Sequence, residues 1–100
     1  MSDEFELVRG SGNVFRDFGY ADAEVEHVKA VLAAQIIRVL DARELTVRAA
    51  EELTGTAAAD FSRIRRTKLD RFTIDRLLTV LRKLGQRVKI AVEFAEGEAA

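Results

Sequence analysis

One hundred residues are enough for one domain near the commonest size and exclude a multidomain enzyme. At 48% hydrophobic and 33% charged the chain can bury a core, while no cysteine and a single histidine exclude disulfide scaffolds, thiolate zinc sites and multi-histidine metal sites. The formal net charge of −1 hides a segregation: residues 62–89 carry ten bases against only Asp70 and Asp75, whereas residues 1–30 carry seven acids against three bases.

Residues 1–21 are expected to form an N-terminal arm, interrupted by Gly10-Ser11-Gly12-Asn13, with a short extended piece at Phe5–Val8. The opening Met1-Ser2-Asp3-Glu4-Phe5-Glu6 is acidic where a secretion signal is basic, and no apolar run reaches the ~18–20 residues of a membrane span. The cytoplasm is therefore the expected setting.

Asp22 is a good N-cap for a first helix over residues 23–43. Glu24 and Glu26 sit at its positive end, and Val25, Val28, Leu32, Ile36, Val39 and Leu40 recur at helical spacing. Thr46 can cap a second, short helix ending at Thr54, with Val47, Ala50 and Leu53 on one stripe and Gly55 supplying the turn. A third helix over residues 58–66 turns Phe61 and Ile64 inward and leaves Ala58, Ala59, Ser62, Arg63 and Arg66 for other faces. Leu69 and Phe72 read as packing before the fourth helix. Thr73 caps that helix, Asp75 lies in its first turn, Ile74, Leu77, Leu78, Leu81 and Leu84 form its stripe, and Gly85 ends it after Arg82 and Lys83. With no proline, little in the composition breaks these helices.

Val88, Ile90, Val92 and Phe94 then alternate with Lys89, Ala91 and Glu93, the period of a strand over residues 87–95. A lone strand needs a partner for its backbone groups. The candidates are Phe5–Val8, the same strand of a second copy, or a strand of another protein. Pairing with another chain is the expectation, because a small domain gains stability by association.

Residues 22–86 thus contain two short helices joined by a tight glycine turn, the second of them basic. This is the pattern of a helix-turn-helix, whose second helix fits a major groove ~12 Å wide. Catalysis has no such support: Thr46 and Ser62 have no histidine base nearby, Asp70 and Asp75 lack a partner nucleophile, and no glycine-rich phosphate loop is present. No catalytic residue, metal or cofactor is expected. His27 reads as a surface residue, and Arg65 as the ion-pair partner of an acid such as Glu52 or Asp75.

The run from Leu45 to Gly55, Phe61-Ser62-Arg63-Ile64-Arg65 and Arg71-Phe72-Thr73-Ile74-Asp75-Arg76-Leu77-Leu78 resemble the XRE, or lambda-repressor-like, helix-turn-helix family, in particular its HigA-like antitoxins and autoregulators. The lead-in from Gly12 to Gly19, with Ala23, also looks like that group, so the likeness spans about residues 12–93. It implies a mainly α bundle of about five helices with one C-terminal β-strand. It further implies a cytoplasmic homodimer that binds a palindromic operator in double-stranded DNA and represses its own promoter, and a RelE- or HigB-like toxin as partner. By the same resemblance Ala58, Ala59 and Arg63 would face bases, and Arg48, Ser62, Arg66 and Lys68 would touch phosphates. Val88, Ile90, Val92 and Phe94 would form the dimer or partner strand. Relatives often have glutamine where this chain has Val47 and Ala58, a small residue at Glu51 and glycine at Thr67. The alternative is a protein-interaction module that mainly neutralises the toxin, with the terminal strand or the acidic Asp3, Glu4 and Glu6 against the toxin's basic cleft.

Overall fold

The computed structural model describes the backbone of residues 4–9 and 19–92 and the side chains of residues 23–92. In chain order the elements are β1 (Glu4–Arg9), α1 (Gly19–Ala42), α2 (Val47–Thr54), α3 (Ala58–Arg65), α4 (Ile74–Lys83) and β2 (Arg87–Val92). The mainly helical class agrees with the sequence, but the described residues contain four helices, not about five, and two strands, not one. The lead-in from Gly12 to Phe18 lies outside them. α1 starts at Gly19, so Asp22 falls inside its first turn and does not cap it. An aspartate is favoured both at the cap and in the first turn, so composition alone could not separate the two. No helix among the described residues is long and apolar enough to cross a membrane.

α1 is the central element. Val28, Leu32, Ala33, Ile36, Val39 and Leu40 bury one stripe of it against α3 and α4, where they meet Phe61, Ile64, Leu77, Val80, Leu81 and Leu84. Val25 has the right spacing but is exposed, because the core ends one turn later. Leu69 and Phe72 in the α3–α4 connection are buried, as expected of packing residues. Each fully buried large side chain contributes roughly 1.5–3 kcal/mol of transfer free energy.

Both predicted threonine caps are formed: the Thr46 hydroxyl accepts from the Ala49 N–H and the Thr73 hydroxyl from the Arg76 N–H, each at 3.0 Å. At the other ends, α1, α3 and α4 close with the paired reverse hydrogen bonds of a Schellman motif. For α3 these run from Lys68 N–H to the Arg63 carbonyl (2.9 Å) and from Thr67 N–H to the Ile64 carbonyl (3.0 Å). The motif requires a left-handed residue. α4 supplies Gly85 (φ +86), but α1 uses Glu44 (φ +53) and α3 uses Thr67 (φ +59). Thr67 is thus a β-branched residue held in a conformation that L side chains resist.

β2 pairs with β1 of the same chain, in parallel, with Glu4 opposite Arg87, Glu6 opposite Lys89 and Leu7 opposite Ile90. This corrects the expectation that another chain would provide the partner. Parallel strands need a long crossover, and the helical bundle between Arg9 and Arg87 supplies one. The segment expected to be an arm therefore contributes a strand and the first turn of α1. Phe94, assigned to the terminal strand, lies outside the described residues. Ile90 and Val92 remain 51% and 48% exposed.

Candidate nucleic-acid interface

The α2–α3 unit depends on one turn. Gly55 has φ +78 and its N–H donates to the Glu51 carbonyl at 2.7 Å, which closes α2 with a left-handed residue. A Cβ placed there would meet no atom within 4 Å, so the demand for glycine comes from the backbone angle alone. Beside it the buried Thr54 hydroxyl donates to the Ala50 carbonyl (2.7 Å) and accepts from the Thr56 N–H (3.1 Å), which fixes the exit of the turn. α3 follows with Ala57 as its N-cap, which has no side chain able to cap it; the first turn closes instead through the Asp60 N–H on the Ala57 carbonyl at 2.9 Å.

At 100° per residue, the buried Asp60, Phe61 and Ile64 define the inner face of α3. Directly opposite lie Ala59, Ser62 and Arg66, with Ala58 and Arg63 on the two flanks. Ala59 and Arg66 are exposed, and Ala58, Ser62 and Arg63 are half-buried. The outward surface is thus narrow, small at its N-terminal end and cationic at its C-terminal end. Arg48 on α2 and Lys68 after α3 are exposed as well. Val47, on α2's stripe, packs partly against the core.

Sequence reasoning missed Asp60. Its carboxylate is only 12% exposed and accepts from two guanidinium groups, Arg63 at 2.8 Å and Arg76 at 2.7 Å. Arg76 comes from the first turn of α4 and also lies over the Phe72 ring, 5.0 Å from its centroid. Arg63, expected to face bases, is therefore tied to its own helix in the free protein. The i, i+3 spacing of Asp60 and Arg63 was the available signal. The contribution of Arg76 was not legible, because it depends on how α4 packs against α3.

Arg65 does pair with an acid, but with Asp41 at the end of α1 (2.8 Å) and not with Glu52 or Asp75. This pair joins α3 to α1 at the surface, away from the Asp60 cluster. His27 is exposed on α1.

A family model described as a helix-turn-helix domain matches residues 14–93, most of the chain and the whole of α1 to β2. No curated protein and no solved structure matches the chain significantly.

Proposed function

Since the chain belongs to this helix-turn-helix domain family, we propose that it is a sequence-specific DNA-binding transcriptional regulator. It acts without a catalytic residue or cofactor, as a homodimer that places α3 of each copy in the major groove of a palindromic operator and represses its own promoter. The observation that carries this reading is the outward face of α3. Alanines at its N-terminal end allow close approach to bases and can contact a thymine methyl. Arg66, with Arg48 and Lys68, supplies cations where phosphates flank the groove. A regulator of this kind that resembles HigA-like antitoxins would share its promoter with a RelE- or HigB-like toxin.

The test is fluorescence anisotropy of a labelled duplex from the DNA upstream of its own gene, titrated at several salt concentrations. Affinity should fall steeply with salt, at roughly −0.9 in log–log slope per phosphate neutralised. Absence of binding, or binding indifferent to salt, overturns the proposal.

A second reading rests on β2, whose exposed Ile90 and Val92 lie on a short two-stranded sheet. A strand edge of this kind can take up a partner's strand, as an antitoxin that mainly covers a toxin would require. Co-expression with the product of the adjacent gene separates the readings. Unchanged toxicity with and without this protein eliminates the second.

A further inference from the structure

The Asp60 cluster holds one more cation than it needs. A carboxylate this buried requires a counter-ion, yet two guanidinium groups share it. The two are not held alike. Arg76 is fixed twice, by Asp60 and by the ring of the buried Phe72. Arg63 is held by Asp60, sits three residues away on the same helix and lies on the flank of the outward face; it is 33% exposed against 48% for Arg76, so the ring contact, not exposure, is what distinguishes the two. A rotation about its own side-chain bonds moves its guanidinium from the carboxylate toward the groove.

Resting on the DNA-binding reading above, we infer that Arg76 is a positioning residue for specificity: it is the stand-in counter-ion that lets Arg63 leave Asp60 and read a base. In the free protein both arginines share the carboxylate. On the correct site Arg63 turns out to a guanine, whose O6 and N7 accept its planar pair of N–H groups, and Asp60 stays neutralised by Arg76. On an incorrect site Arg63 stays with Asp60, and binding relies on backbone contacts alone. Without Arg76, Arg63 could reach the base only by stripping a buried carboxylate of its remaining cation.

The experiment uses the full chain and two probes: a duplex that the wild type selects from a randomised pool, and a scrambled duplex of equal length and composition. The quantity read is the ratio of the two affinities. Arg76→Gln should reduce that ratio by about tenfold or more while changing scrambled binding far less. Arg76→Lys, which keeps a cation for Asp60, should restore most of it. In an Arg63→Ala, Asp60→Asn background Arg76→Gln should leave the ratio unchanged, since there is neither a reader to release nor a carboxylate to neutralise. Asp60→Asn with Arg76→Gln should recover discrimination, because a neutral amide needs no counter-ion. This double variant also tests the idea should Arg76→Gln alone fold poorly.

An unchanged ratio in Arg76→Gln overturns the inference. So does an equal loss on both duplexes, which makes Arg76 a backbone contact, or an undiminished effect in the Arg63→Ala, Asp60→Asn background, which makes its role structural. If the wild type selects no sequence at all, the parent reading of specific DNA binding fails, and the inference with it.

Discussion

Gln35 in the middle of α1 donates its side-chain amide to the side-chain carbonyl of Gln86, just ahead of β2, at 2.9 Å in a buried setting. Gln86 is also the residue whose N–H closes the end of α4 on the Leu81 carbonyl. One side chain thus links the central helix, the exit of the last helix and the start of the sheet. Gln35→Met keeps the volume but removes the donor, leaving the buried Gln86 carbonyl short of this bond. The expected loss is about 1–3 kcal/mol in urea-induced unfolding, and a change within error would show that water already serves this site.

Thr67 offers the opposite sign. Its left-handed backbone is imposed by the Schellman motif that closes α3. Thr67→Gly relieves that strain at the expense of greater freedom in the unfolded chain, and should raise stability by about 1 kcal/mol. A lower midpoint in thermal or chemical denaturation would mean that the threonine side chain makes a compensating contact.

On DNA Arg63 of α3 and Arg66, which caps its C-terminal end, should separate cleanly. Arg63→Ala should weaken the selected duplex by about 1–3 kcal/mol and relax preference at one base pair. Arg66→Ala should weaken all duplexes alike and reduce the salt slope by about one phosphate. Binding isotherms on a panel of single-base variants, each at several salt concentrations, distinguish the two patterns.

The Arg65–Asp41 pair is short but exposed at both ends. Solvent screening and side-chain entropy leave such pairs worth less than about 1 kcal/mol. Arg65→Ala should therefore change unfolding free energy by no more than that. A loss of several kcal/mol would indicate that the α1–α3 contact depends on this pair.

The helices were legible because their signals are local. Thr46, Thr73, Gly55 and Gly85 mark ends through backbone geometry, and the apolar stripes of α3 and α4 follow a period set within each helix. What escaped prediction depends on other elements. The partner of β2 was chosen by the return path of the whole chain, and the partner of Arg65 by the crossing of α1 and α3. Val25 satisfied the period, yet the neighbouring elements do not extend far enough to cover it. Asp60 escaped for a related reason: a carboxylate on the inner face of a helix makes sense only once a second cation arrives from α4.

The parallel pairing of β1 with β2 also sets an order of assembly. The first strand leaves the ribosome before any of the helices, yet its mate is made only after α4. The bundle, built from near neighbours in sequence, can close early, while the sheet must await a strand made after all four helices. Until then β1 presents an unpaired ribbon, Phe5-Glu6-Leu7-Val8, for which β2 of a sister polypeptide would serve equally well. Exchange of this strand between nascent chains is accordingly the misassembly to which this topology is most exposed.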